Sequence, residues 1–364
     1  MENLNELSQS IYNNLPRLKT NSDYWLVRTE SGLYYDDFNN SSFIAIGWNG
    51  VDEERLKKAG TDPTQLRTVV ESLYPDDKQP GRTANQLLSF QKDIKVGDLV
   101  LIPNEGSERY MLGEVTSELY FEKEENISTL PGQCPFIKRR KVKWIKSFYK
   151  KDADSKILKL SYRQQTVNDI NEYKAFINRA LYGAYVDGEG LIHLTYDINI
   201  EDNINMSDLS SFLYHYTQMY ELLAGDRNID IKINAQSKGK SEIITRTVAG
   251  IGIGLLIFGV ATLPYGGEVK IGGGVLPEIS VKSNGVLPQK EKIKNDQKEL
   301  ELKEESIKRE NTAMDLENIE KALKIAEELD VPIESLNLGL PDELIDAINS
   351  VKEKETTNVE VSDR

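Results

Sequence analysis

Over the first 150 residues, short apolar runs alternate with polar clusters at a spacing too tight for long helices. Residues 25–27 (WLV) and 43–46 (FIAI) predict strands. Tyr34, Tyr35 and Phe38 lie between them, with Gly32 and the polar stretch 39–42 as turn signals. Helical spacing follows over residues 52–59, 63–73 and 85–91, and a strand over 99–102 emerges from a turn at Gly97 and Asp98. Residues 110–115 (YMLGEV) predict its hairpin partner and residues 140–145 (RKVKWI) a further strand. The pattern predicts a small, partly open β-barrel over residues 22–163, preceded by a polar leader, 1–21, with a short helical stretch.

A second α+β segment, 164–242, is expected next. Over residues 164–183 a helix is predicted, with Thr166 as cap and Val167, Ile170, Tyr173, Ile177 and Leu181 at 3–4 spacing. A strand follows in GLIHLTYDINI. A helix then runs from Ser207, a candidate N-cap, to Gly225, a candidate C-cap, with Leu209, Phe212, Leu213, Tyr216, Met219 and Leu223 on one face. Another strand begins in NIDIKIN. His193 and His215, the only two histidines, read as packed or surface residues rather than ligands.

The run from Thr247 to Tyr265, TVAGIGIGLLIFGVATLPY, holds no charged residue. As a helix it would extend about 28 Å, close to the ~30 Å hydrocarbon thickness of a bilayer. Arg246 stands ready to snorkel at one end and Tyr265 to sit at the interface at the other. Gly250 and Gly254 form a small-xxx-small pair and Gly252 a third close-approach position, as suits helix contact in lipid. A transmembrane helix over 243–265 is therefore expected, with a buried core helix as the alternative. The flank of Lys238, Lys240 and Arg246 places the N-terminal side in the cytoplasm, which implies a single-pass inner-membrane protein; a cytoplasmic protein is the alternative. Beyond it come a Gly-rich stretch of strands and turns (266–288), a helical region (289–352) and a disordered tail (353–364). In the helical region Ile293, Leu300, Ile307 and Met314 recur every seventh residue, a weak oligomerisation signal, and Pro341 opens a last helix.

Composition narrows the function classes. The 364 residues carry a net charge of -14, which argues against non-specific DNA coating. One cysteine, Cys134, excludes an internal disulfide and a cysteine-rich zinc site. Basic residues cluster once, at Lys138, Arg139, Arg140, Lys141, Lys143 and Lys146. A period of two forbids Lys141, Lys143 and Lys146 from sharing one strand face, so the cluster reads as a phosphate contact or a lysine-guarded edge.

The words YWLVR, FIAIGW, KVGDLVLIP, YMLGEV and VKWI, in that order over residues 22–170, resemble a PUA/EVE-like module. Such modules are joined to Mrr-type modification-dependent restriction enzymes and other bacterial defence proteins. The resemblance implies a pocket that holds a flipped or free base against aromatic rings. Carried onto this chain, it makes Arg28, Trp48, Asn49, Asp98 and Trp144 the candidate ligand-binding residues. For Trp144 and Asp98 the competing readings are core packing and a turn.

Gln236 and Lys238, near Asp226 and Asp230, imitate part of an Mrr-type nuclease signature, but the βαβ layout that chemistry needs is absent. No P-loop, nucleophile motif or metal cluster appears, so no enzyme, cofactor or metal is expected. The expected function is a homo-oligomeric defence-type membrane effector, in which the N-terminal module senses a modified base or nucleotide. The alternatives are a soluble nucleic-acid-binding module that oligomerises through its apolar helix and, last, a metal-dependent nuclease.

Overall fold

A computed structural model describes residues 4–19, 21–127, 130–198, 204–233, 239–258, 268–271, 279–282, 316–329 and 336–351. The fold is mixed α+β, with a curled half-barrel sheet. The chain divides into two compact units, Asn21–Leu181 and Met1–Thr20 with Tyr182–Arg364. The first element, helix α1 (Leu4–Asn14), belongs to the second of these.

In the unit Asn21–Leu181, strand β1 (Tyr24–Val27) is buried along its whole length. Helix α2 (Tyr35–Asn40) leads to β2 (Phe43–Ile46), equally buried. Helices α3 (Glu53–Ala59), α4 (Pro63–Leu73) and α5 (Pro80–Leu88) follow. Asp52 and Asp62 cap α3 and α4 by accepting from Arg55 and Thr64 backbone N–H groups, and Pro63 and Pro80 occupy first-turn positions where the missing N–H costs nothing. Strands β3 (Leu99–Pro103), β4 (Arg109–Val115), β5 (Tyr120–Phe121), β6 (Lys138–Tyr149) and β7 (Val167–Asp169) complete a sheet ordered β2-β6-β4-β3-β1-β7, with β5 also on β6. Helix α6 (Lys174–Leu181) closes the unit. The core gathers Val27, Phe38, Ile44, Leu66, Phe90, Val100 and Val142 between sheet and helices.

The helix expected over 164–183 forms only in its second half. Residues 167–169 instead pair antiparallel with β1, and Gln86 Oε1 accepts from the Thr166 and Val167 backbones, so Thr166 caps nothing. An open sheet edge outcompetes the helical spacing of Val167 and Ile170.

In the other unit, β8 (Ala184–Val186) and β9 (Ile192–Ile198) precede helix α7 (Met206–Ala224). Asn205, not Ser207, caps α7 by accepting from Ser207 N–H, and Gly225 ends it in the left-handed region as expected. Strands β10 (Asp230–Ile233) and β11 (Gly239–Thr245) form a hairpin, and helix α8 (Ala249–Ile257) follows. Strands β12 (Glu268–Ile271) and β13 (Ile279–Lys282) pair with each other, matching the strands expected in the Gly-rich stretch. Helix α9 (Leu316–Glu327), strand β14 (Leu338–Gly339) and helix α10 (342–351) end the described chain. The sheet order is β10-β11-β9-β14, with β8 also on β9. The leader is no separate segment: Leu4, Ile11 and Leu15 of α1 and its end pack into this core.

The expected transmembrane helix finds no support. Among the described residues, no helix is long and apolar enough to cross a membrane. Helix α8 has nine residues, about 13 Å, and all nine are buried within the unit's core. It packs on α1, α7, α9, β9 and β11, so protein covers every side. Gly250 and Gly254 do permit close approach, but to side chains of this same unit. A Cβ at Gly250 would lie 2.4 Å from the Thr245 methyl, and one at Gly254 would lie 3.2 Å from the Tyr196 hydroxyl. Tyr216 OH donates to Gly250 O at 3.3 Å, Gly252 is buried in the same helix, and Arg246 is exposed just before it. Tyr265 and the heptad positions 293–314 lie outside the described residues, as do Gln236 and Lys238.

The close contact at Gly250 yields a test with a definite sign. Thr245 cannot give way, because its Oγ1 lies 3.0 Å from both Tyr220 OH and Thr247 O. Gly250→Ala would gain about 1 kcal/mol of helix propensity in an unconfined helix, but a 2.4 Å approach to a side chain that cannot yield puts overpacking at the upper end, about 2–3 kcal/mol. A net loss of about 1–2 kcal/mol is expected. Far-UV circular dichroism reads it as a lower midpoint in the denaturation step that tryptophan fluorescence does not report, since all three tryptophans lie in the other unit. An unchanged or raised midpoint would mean that α8 is not packed this way.

Candidate functional site

Trp48 follows β2 and Gly47 in a left-handed conformation, φ 57°. That region is costly for a bulky residue, about 1–3 kcal/mol, and persists only where neighbours enforce it. The neighbours are identifiable. Val51 N–H donates to Trp48 O (2.9 Å), and Lys138 Nζ donates to both Trp48 O (2.9 Å) and Val51 O (3.0 Å). Tyr74 OH accepts from Gly50 N–H (2.8 Å). Asn49 donates to Pro135 O (2.9 Å) and accepts from Ile137 N–H (3.2 Å), which ties the turn to residues 135–137. The ring of Trp48 stays half-buried. Beside Gly47 lies the Phe136 ring, 3.4 Å from where a Cβ would stand, and Tyr34 meets Phe136 edge-on at 5.3 Å. Tyr34, Phe136 and Trp48 thus flank one short turn.

Arg28 leaves the end of β1, its backbone N–H donating to Thr166 O (2.8 Å). The next residues turn sharply: Glu30, Ser31 and Gly32 have φ of 50°, 56° and 98°. Thr29 Oγ1 fastens this loop to Pro103 O (2.6 Å). A facing loop holds Gly106 and Ser107 at φ 64° and 55°. The loops press so close that a Cβ at Gly32 would fall 2.2 Å from Glu105 N, so only glycine fits. Between them is a cavity of about 200 Å³ lined by Arg28, Ser31, Gly32, Pro103, Asn104, Gly106, Ser107 and Ser161. Arg28 Nη1 is shielded from solvent and has no hydrogen-bond partner among the described residues. A guanidinium nitrogen in that state favours an anionic or carbonyl acceptor in the cavity. The segment 28–34 therefore runs from a cationic pocket to the aromatic turn beside Trp48.

Neither Trp48 nor any other expected site residue lines the cavity at Arg28. Buried Asp98 is a strut, accepting from Trp25 Nε1 (3.0 Å), Lys95 N–H (2.9 Å) and Asp23 N–H (3.2 Å). Trp144 packs on the core and donates its indole N–H to Phe38 O (3.0 Å). Ser31, Gly32, Gly106 and Ser107 escaped the sequence reading as site residues, although Gly32 was legible as a turn.

The basic cluster separates into two groups. Lys138, Arg139 and Arg140 are buried and bind carbonyls: Arg139 those of Phe136 and Cys134, Arg140 those of Phe90, Gln91 and Ser117. Burial pushes the Lys138 ammonium down to about 8, against an opposing pull from Asp52, and likewise lowers Arg140.

In the other unit, His193 stacks on Tyr185 (4.4 Å) with its ring nitrogens 2.9 Å from Glu242 Oε1 and 3.0 Å from Asp187 Oδ2. Both ring nitrogens lie within hydrogen-bond distance of a carboxylate oxygen, so the cluster reads as a structural strut. His215 sits 3.3 Å from Glu328.

The buried ammonium makes stability depend on pH. Between about pH 8 and the ordinary lysine value, the unfolded chain holds a proton that the folded chain lacks, so this group's contribution to stability rises with pH. Lys138→Met has no such proton. Urea unfolding followed by tryptophan fluorescence should therefore show the wild type gaining on Lys138→Met from pH 8 to 10. A difference, wild-type stability minus that of Lys138→Met, that stays constant or falls over this range would contradict a buried ammonium at this position.

Among known proteins, residues 24–171, less than half of the chain, match a family model described as a domain of unknown function (DUF8426). No curated protein matches the chain.

Proposed function

We propose that the unit Asn21–Leu181 is a recognition module for a modified base or nucleotide, acting without catalysis within a defence-type protein. The anionic part of the ligand sits in the cavity at Arg28, and the base lies against the turn that presents Trp48. The observation that carries this reading is Arg28, which lines a cavity between two loops held in left-handed conformations and whose Nη1 is shielded from solvent with no hydrogen-bond partner among the described residues. Strained backbone of this kind clusters at ligand sites. The resemblance to PUA/EVE-like modules supports the base, and the half-buried aromatics Tyr34, Trp48 and Phe136 supply stacking faces worth about 1–3 kcal/mol each.

A membrane effector is no longer part of this reading. Exposing α8 to lipid would take apart the core in which all nine of its residues are buried.

Titration calorimetry with dCMP, dAMP, their base-methylated forms and the matching nucleosides tests the proposal. Trp48→Ala should weaken binding of nucleotide and nucleoside alike by about 5- to 150-fold, the equivalent of one lost stacking contact. Arg28→Gln should bring nucleotide affinity down to the nucleoside's and leave nucleoside binding unchanged. Equal binding by wild type and both variants, or no binding by the wild type, would overturn it.

A further inference from the structure

Strand β6 carries a β-bulge that the sequence period conceals. Opposite β4, Gly113 faces Trp144 and Leu112 faces Lys146, which leaves Ile145 as the extra residue. Residues directly opposite in a ladder point to the same side, and Leu112 and Glu114 share a side. Lys143, opposite Glu114, and Lys146, opposite Leu112, therefore share it as well, and unbroken alternation adds Lys141. All three lysines are exposed. The expectation that they could not share a face fails because one inserted residue resets the alternation. The row stands out in a chain of net charge -14, after its three basic neighbours have been withdrawn into the interior. Acid tempers the row: Glu114 faces Lys143, and the Glu122 carboxyl, held low first by the Asn126 side chain and then by the Lys123 backbone, is drawn down further by Arg139 and Lys141.

We infer that Lys141, Lys143 and Lys146 form a phosphate track for single-stranded nucleic acid, which delivers the base to the recognition module as part of a strand. This rests on the proposed base-recognition function. Lys141 and Lys143 are about 6.6 Å apart along the strand, and a stacked nucleic-acid strand rises about 3.4 Å per nucleotide, so each lysine meets roughly every second phosphate. Beyond Val142, β6 pairs on one side only among the described residues, with β4, and lysines there also discourage edge-to-edge pairing. The track and the guard predict different results.

The test measures binding of the full chain to a 12-nucleotide oligothymidine by fluorescence anisotropy from 50 to 200 mM salt. Three contacts at about 0.7 each make the log–log salt slope shallower by about 2 in K141Q/K143Q/K146Q, so across that range the wild type loses about 20-fold more affinity than the variant. The triple arginine variant should keep the wild-type slope, and dCMP binding should be the same in all three proteins. An unchanged slope and affinity in the glutamine variant, or no binding by the wild type, overturns the track. Aggregation of that variant with unchanged affinity in its soluble fraction also overturns it and leaves the lysines as edge guards. A lysine-dependent slope together with full binding by Trp48→Ala would uphold the track and reject the base site instead.

Discussion

Three consecutive buried cations at the start of β6 hold the unit Asn21–Leu181 together. Lys138, Arg139 and Arg140 donate to carbonyls at Trp48, Val51, Cys134, Phe136, Phe90, Gln91 and Ser117. Burying a charge costs several kcal/mol unless its donors are satisfied, so each carbonyl must stay where it is. Those carbonyls belong to the turn after β2, the loop before β6, the π-helical turn after α5 (Ser89–Asp93) and the turn after β4. Glu118 and Glu122 lie 3.6 and 3.8 Å from Arg140 and Arg139 and supply partial neutralisation. The left-handed Trp48 is one consequence of this arrangement: its carbonyl is drawn inward by Lys138 while its ring remains half-buried.

Much of this unit was legible because its strands are short, apolar and bounded by turn residues. Residues 25–27, 43–46, 99–102 and 110–115 all lie within observed strands. The fate of the basic cluster was not legible. Alternation along a strand puts neighbouring residues on opposite faces, yet Lys138, Arg139 and Arg140 are all buried, because β2 and β5 flank this end of β6 while core and loops cover both faces. The bulge at Ile145 was likewise invisible, since it depends on which residues of β4 lie opposite.

The apolar run misled for a specific reason. A charge-free stretch with spaced glycines satisfies a bilayer and a fully enclosed core helix equally well. The polar side that a surface helix would need is missing from α8 because other elements of its own unit surround it. Two of those elements, α1 and α9, lie far from it in the chain, and no local pattern reports such packing. The resemblance named Arg28 and Trp48 together with Asp98, Asn49 and Trp144, and the last three make side-chain hydrogen bonds within the fold. Arg28 differs from these three in that its Nη1 has no hydrogen-bond partner among the described residues.

The three tryptophans allow the central claim to be read directly. Trp25 and Trp144 have their indole N–H groups committed to Asp98 and Phe38, while Trp48 presents a half-buried ring at the candidate site. In a ¹H–¹⁵N spectrum the chain should give three indole signals, assignable by single Trp→Phe substitutions. Titration with a methylated deoxynucleotide should shift the Trp48 indole signal and the Arg28 side-chain signal together, along one saturation curve, while those of Trp25 and Trp144 stay in place. A saturating titration that moves Trp25 or Trp144 and leaves Trp48 and Arg28 unchanged would contradict the account.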